Sequence, residues 1–225
     1  MQGYFNSEKM FTYLKGFAMG KDMSETLKAL NYARKLHKGQ NRKGGEPYII
    51  HPLTMACQAI SMGIYKDEVV AAALLHDVVE DCGVSVKDLP CNDRVKGIVL
   101  LLTYQKPEHY LEKDGEGNSI NVYKEHYYNM ISKDADASIV KILDRCNNVS
   151  SMAGVFSKEK LLDYIDETKR FVLPLIKSSK EEYPEYQNSL FILKYHIYSV
   201  LEAICGTINT FSEELHIELV EKKDN

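Results

Sequence analysis

The chain has 225 residues, enough for one well-buried domain or two small ones, and its 28 Lys/Arg against 32 Asp/Glu leave a formal net charge of −4. A nearly balanced, slightly acidic protein offers no general nucleic-acid-binding surface, so DNA is not an expected partner. Its five cysteines (Cys57, Cys82, Cys91, Cys146, Cys205) are scattered and form no C-x-x-C pair, which favours reduced thiols in the cytoplasm over a disulfide framework or a zinc finger.

Met1–Lys9 shows neither a basic segment followed by an apolar core nor a cleavage pattern, so no targeting segment is expected. From there nearly every segment reads as helix, over roughly 8–19, 24–38, 52–62, 67–81, 92–104, 119–132, 135–152, 158–179 and 188–206. Ser24, Asp134 and Ser157 are candidate N-caps, and Pro52 suits the first turn of its helix. Gly63, Gly83 and Gly154 stand near helix ends, and Pro174 should kink or break the helix it lies in. No apolar run, Ile98–Leu102 included, approaches the length that crosses a bilayer, so no membrane segment is expected. The polar stretch Lys106–Asn118 reads as a loop, and Glu218–Asn225 as a charged, fraying tail. The expected fold is all-α, a single-domain helical bundle with at most a small β-hairpin. Residues 1–180 would form the main unit and 181–225 a C-terminal helical extension of the same domain. Nothing in the sequence specifies an oligomeric state.

Chemistry concentrates in His76-Asp77-Val78-Val79-Glu80-Asp81, with His51 before it and Asp144 well after it. Two imidazoles and two carboxylates make a mixed nitrogen–oxygen set suited to a divalent transition metal. On a continuous helix over 67–81, Glu80 would stack on His76 and Asp81 on Asp77, presenting four polar groups at the end of an apolar helix. Burying such groups without partners is costly, which argues for a cation or a dense hydrogen-bond network. Upstream, Arg34–Tyr48 packs five Lys/Arg and one His into fifteen residues and runs straight into the His51 helix. A basic loop joined to a candidate ligand suits an anionic substrate. Downstream, Lys141, Asp144, Asn148 and Ser151 share one face of a mostly apolar helix.

Three motifs carry a resemblance. G-Q-x-R-K-x-G-E-P-Y-I-x-H-P (Gly39–Pro52), A-A-L-L-H-D-V-V-E-D (Ala72–Asp81) and I-x-K-I-x-D-R-x-x-N (Ile139–Asn148) resemble the hydrolase domain of RelA/SpoT-homologue proteins of the HD superfamily, most of all the stand-alone small alarmone hydrolases. The resemblance implies an HD-type helical bundle that removes the 3′-pyrophosphate of ppGpp and pppGpp, giving GDP or GTP. It implies one Mn²⁺ ion held by His51, His76, Asp77 and Asp144, with Glu80 and Asp81 orienting and deprotonating the attacking water. Arg42 would stack on the guanine, Lys43 would lie near the phosphates, Asn148 and Ser151 would line the nucleoside pocket, and Lys106 would add a phosphate contact. The chain departs from the family at Gly44, where a small hydroxyl is frequent, at Cys82 and Ser151, where threonine is common, and at Asn147, where histidine is common. Two alternatives stand beside this reading. The same centre could act on another phosphorylated nucleotide, such as an adenine alarmone, a nucleotide cofactor phosphate or an RNA end. Alternatively, the protein could be a catalytically silent alarmone-binding module.

Overall fold

The structure is a computed structural model that describes residues 6–104, 112–113, 119–120 and 122–221. Its first helices are α1 (Ser7–Gly20), α2 (Ser24–Leu36), α3 (Ile50–Ser61), α4 (Asp67–Leu75), α5 (Val78–Cys82) and α6 (Asp93–Leu102). A two-stranded antiparallel hairpin follows, β1 (Glu112–Lys113) with β2 (Ser119–Ile120), pairing Glu112 with Ile120 and Lys113 with Ser119. The chain then continues through α7 (Val122–Ser132), α8 (Ala135–Met152), α9 (Lys158–Glu167), α10 (Leu173–Glu182) and α11 (Gln187–Glu221). Among the described residues the fold is all-α apart from that small hairpin, as the sequence leads one to expect.

Two helices form the centre. Every residue of α4 from Val69 to Leu75 is buried, and α4 packs against α2, α3, α6 and α8. A helix with no polar side past its first turn is stable only inside a shell of others, and three successive alanines let the neighbours approach closely. Beside it α8 buries Ile139, Val140, Ile142, Leu143, Cys146 and Val149, touching α3, α6, α7, α10 and α11 as well. The last helix, α11, lays Leu190, Leu193, Ile197 and Leu201 onto α8 and α10 while Phe191, Ile192, Tyr195 and Tyr198 face outward. Pro184–Ile208 is by length and composition apolar enough to cross a membrane, a property the aliphatic runs did not disclose because it is spread over both faces of the helix.

Several boundaries differ from the periodic reading. The helix expected over 67–81 breaks after Leu75, because His76 Nδ1 bonds the carbonyl of Ala73 at 3.0 Å, the carbonyl that residue 77 would use in a continuing helix. Asp77 takes φ −96°, ψ −9°, and helix resumes as α5, ending at Gly83 with φ 65°, where a side chain would be strained. Ser24 is the first helical residue of α2 rather than its cap. The cap comes from Asp67, which accepts from Glu25 N at 2.9 Å and Thr26 N at 2.7 Å across the core. Asp134 and Ser157 do cap α8 and α9, accepting from Ala137 N and Lys160 N. Ahead of Pro174 the helix loosens into a π-helical turn over Thr168–Val172, which absorbs the missing proline N–H and divides the expected 158–179 helix in two.

Candidate metal centre

The loop before α3 turns sharply. Arg42 N donates to Glu46 O at 2.8 Å, Gly45 N to Arg42 O at 2.8 Å and Tyr48 N to Gln40 O at 2.9 Å, with Gly45 at φ 85°. This turn delivers His51 as the second residue of α3, facing the break between α4 and α5 and the middle of α8. His51 and His76 are 2% and 5% exposed, and Asp144 is 7% exposed. His51 Nε2 lies 3.3 Å from His76 Nε2, 3.3 Å from Asp144 Oδ1 and 3.6 Å from Asp77 Oδ2. His76 Nε2 lies 3.0 Å from Asp77 Oδ2 and 3.7 Å from Asp144 Oδ1. The four residues singled out from the sequence thus meet.

The outward nitrogens decide what this cluster can hold. His51 Nδ1 is 2.5 Å from the amide oxygen of Asn147, and His76 Nδ1 is 3.0 Å from Ala73 O. Both partners accept, so each Nδ1 carries the proton and each Nε2 of a neutral ring presents a lone pair. Two imidazole lone pairs and two carboxylate oxygens then converge without a donor between them. Four acceptors in a poorly solvated space repel unless a cation sits among them, and the nitrogen–oxygen mix fits a divalent transition metal. With no cation bound, a proton takes that place: burial alone would hold the His76 ring neutral, yet Asp77 and Asp144 push its pKa up to about 10, so the carboxylates draw positive charge into the space that a metal would occupy. Burial opposes charge on Asp144 too, but Lys141 and the two histidines hold it well below the ordinary carboxylate range.

A surrounding layer fixes these groups. Tyr48 OH donates to Asp77 Oδ2 at 2.5 Å and faces Asp81, while its ring stacks on buried His37, centroids 4.7 Å apart. Asp144 Oδ2 accepts from Lys141 Nζ at 3.0 Å and Oδ1 from Asn148 Nδ2 at 2.6 Å. Arg42 bonds Asn148 Oδ1 at 2.6 Å and Asn147 Oδ1 at 3.3 Å, so the basic loop is tied edge-on to α8 beside the centre. On the far side of α8, Arg145 stacks on Tyr164 at 4.0 Å and bonds Thr168, Tyr128 and Glu167, which fixes the rotation that turns Asp144 inward.

The remaining sequence candidates are spread more widely. Glu80 accepts from Tyr104 N at 2.5 Å, and its pKa is raised, chiefly by desolvation of the carboxyl end and then by neighbouring Asp77. Asp81 follows Asp77 by one hydrogen-bonded turn, its N–H 2.9 Å from Asp77 O. Glu80 and Asp81 therefore border the centre, Asp81 at the helical spacing from Asp77 that the sequence suggests, although the helix is interrupted at His76. Lys43 stands over Phe156 at 5.7 Å beside Lys160, away from the four central side chains, and Ser151 bonds back to the carbonyls of Asn147 and Asn148. Lys106 lies outside the described residues. Sequence reasoning passed over Tyr48, which no spacing rule marks. It also gave Asn147 no role, although its spacing from Asp144 along one helix places it nearby.

Comparison with known proteins identifies the family of the chain. A family model described as HD domain matches residues 29–175. A Vibrio cholerae protein named guanosine-3′,5′-bis(diphosphate) 3′-pyrophosphohydrolase is 29% identical over 198 residues, 83% of this chain and 27% of its own. A protein of the same name from Aquifex aeolicus is 32% identical over 156 residues, 67% of this chain and 21% of its own. The chain therefore spans about a quarter or less of the length of these relatives. Among solved structures, one titled as a metazoan orthologue of SpoT that hydrolyses ppGpp shares the fold at TM-score 0.59 and 22% identity, covering 80% of this chain and 95% of that one. With the family model matching well over half its length, this chain belongs to the HD domain family.

Proposed function

We propose that the protein is a Mn²⁺-dependent 3′-pyrophosphohydrolase of guanosine alarmones, converting ppGpp or pppGpp and water to GDP or GTP and pyrophosphate. The observation that carries this reading is the convergence of His51, His76, Asp77 and Asp144 as four acceptors, beside two further carboxylates. Those four residues would hold one Mn²⁺ ion, which when bound supplies Lewis acidity and eases ionisation of water. The names of the relatives from Vibrio cholerae and Aquifex aeolicus support the choice of substrate.

The chain's own residues divide the remaining work. Water adds to the phosphorus attached to the ribose O3′, the O3′–P bond breaks, and pyrophosphate departs while O3′ takes a proton. Glu80 is suited to accept the proton of the attacking water, because its raised pKa brings it nearer to neutral pH than an ordinary carboxylate, and the Tyr104 N–H holds it in place. Asp81, beside Tyr48, would orient the water with it. Arg42 spends its edge on Asn147 and Asn148, so its planar face is the part suited to stack on the base. Lys43 would meet phosphates from the rim, and Asn148 and Ser151 would border the nucleoside. Residues 1–180 would be the hydrolase unit, with 181–225 an extension of the same domain, supported by the packing of α11 on α8 and α10. The five free cysteines suit a cytoplasmic setting.

Product analysis tests the reading. Purified Mn²⁺-loaded protein should release GDP and pyrophosphate from ppGpp, an Asp77→Ala control should not, and an adenine analogue run in parallel should turn over poorly. Turnover of the adenine analogue alone would move the substrate, and silence on both from folded, metal-loaded protein would end the proposal.

A further inference from the structure

The last helix, α11, carries more apolar surface than the bundle covers. Pro184–Ile208 is apolar enough by length and composition to cross a membrane, yet only 17% of its most apolar part is buried. One side of the helix, with Leu190, Leu193, Ile197 and Leu201, is committed to α8 and α10, so this stretch is fixed to the bundle. On the other side Phe191, Ile192, Tyr195 and Tyr198 are 62%, 51%, 70% and 43% exposed. At about 200 Å² for a large side chain, these fractions leave roughly 450 Å² of mostly apolar surface in one patch. A contiguous patch of that size on a folded protein is characteristic of an interaction site.

The shape of the face changes along the helix. Ser199, Ala203 and Gly206 follow Ile192 and Tyr195 at spacings of three or four residues, and all three are exposed. The hydroxyls at this end are satisfied within the helix. Ser199 Oγ donates to Tyr195 O at 2.9 Å and Thr207 Oγ1 to Ala203 O at 2.8 Å, so neither brings an unpaired polar group to the face. Glycine inside a helix is less favourable than alanine. A Cβ at Gly206 would meet nothing within 4 Å among the described residues, so packing inside the chain gives no reason for glycine there, whereas a second helix passing close by would. The face therefore has large residues at one end and small ones at the other.

We infer that the outer face of α11 is the interface with a second copy of this chain, the two helices lying antiparallel about a two-fold axis near Ser199. Such an axis brings Ile192 and Tyr195 of each copy against Gly206 and Ala203 of the other, so the large end fills the small end twice over and the surface complements itself. Charge agrees with this pairing. Over 187–208 the helix has one lysine, Lys194, and one glutamate, Glu202, and the axis sets each within about one helical turn of the opposite charge on the second copy. A helix that lies on a lipid surface carries a belt of Lys and Arg along its polar side, which this stretch lacks. The four large side chains alone supply more than half of the roughly 800 Å² that each partner contributes to a standard interface, before the small residues are included.

Sedimentation velocity on the full chain tests the inference, with Tyr195→Glu as the disrupting variant. Wild type should sediment as a dimer at about 10–100 µM. Tyr195→Glu should keep its helical circular dichroism and weaken the dimer at least about a hundredfold, because the axis makes the change count in both copies. Ser199→Cys, oxidised with copper phenanthroline, should cross-link two chains through the new thiols, identified by mass spectrometry. A wild type that stays monomeric over this range, a dimer equally stable in Tyr195→Glu, or no cross-link at residue 199 overturns the proposal. Should Tyr195→Glu not fold, the cross-link decides alone. Flotation with neutral phosphatidylcholine vesicles runs in parallel; a monomeric wild type that floats while Tyr195→Glu does not would give the face to a lipid surface and overturn the dimer.

Discussion

Asn147 offers the sharpest test of how the centre is organised, because its side chain touches the candidate ligand set at one atom. Its Oδ1 accepts from His51 Nδ1 at 2.5 Å and, more weakly, from Arg42 at 3.3 Å. Asn147→Leu keeps the approximate volume and removes the acceptor. The buried His51 N–H then loses a hydrogen bond worth about 1–1.5 kcal/mol net, or up to about 3 kcal/mol if the N–H stays unsatisfied. Part of that loss is regained in the metal-free protein, where the ring can shift its proton to Nε2. A metal-bound ring cannot, because Nε2 is committed. The difference falls on metal affinity, and outer-layer partners of histidine ligands are typically worth about ten- to a hundredfold. Calorimetric titration of Mn²⁺ into metal-free Asn147→Leu should show a loss in that range with the melting temperature of the metal-free protein little changed. Asn147→Asp, which restores an acceptor and adds charge, should bind at least as tightly as wild type. An Asn147→Leu affinity within twofold of wild type would mean that packing around the 2% exposed ring, and not this hydrogen bond, orients His51.

Three further outcomes are expected. Glu80→Gln should retain Mn²⁺ affinity and fold while losing most turnover; normal turnover would remove Glu80 from the chemistry. Leu74→Ala, in the middle of buried α4, should cost about 2–5 kcal/mol in urea unfolding, and a loss below about 1 kcal/mol would show that the centre of the bundle collapses around the gap. Burial opposes ionisation of Asp136, but Lys66, Arg94 and Tyr186 overcome it and hold its pKa below the ordinary value of 3.8. A carboxylate depressed in the folded state binds fewer protons than in the unfolded state, so its stabilisation is complete above about pH 4 and fades as pH falls through the folded value. Asp136→Asn should lose about 2–3 kcal/mol at pH 7, discounted because Lys66 and Arg94 stay half solvated, and should show a flatter loss of stability in acid than wild type. Parallel acid profiles for the two proteins would refute the assignment.

Much of the bundle was legible because its signals are local. The apolar run of α4, the caps at Asp134 and Ser157, the stop at Gly83 and the disturbance before Pro174 are each written within a few residues. What was illegible depends on partners distant in sequence. Asp67 caps a helix more than forty residues upstream, so the side chain nearest the start of α2, Ser24, was the natural but incorrect choice. Tyr48 and Asn147 were given no role for the same reason, although both stand within the quoted motifs, since their importance lies in where Asp77 and His51 come to rest.

The break at His76 and Asp77 shows why periodicity fails where the site is built. By propensity alone the stretch from Asp67 to Cys82 should continue as one helix, and its breaking costs backbone hydrogen bonds. An unbroken helix would project residues 76 and 77 about 100° apart around its axis. Bending the chain at Asp77 lets Asp77 Oδ2 approach to 3.0 Å from His76 Nε2 and 3.6 Å from His51 Nε2. The lost helical bond is partly replaced by His76 Nδ1 to Ala73 O, and that same bond fixes the tautomer that leaves Nε2 bare. One side-chain-to-backbone contact therefore interrupts the helix and prepares the ring as a metal ligand, so the misread boundary and the correctly read ligand have a single physical cause.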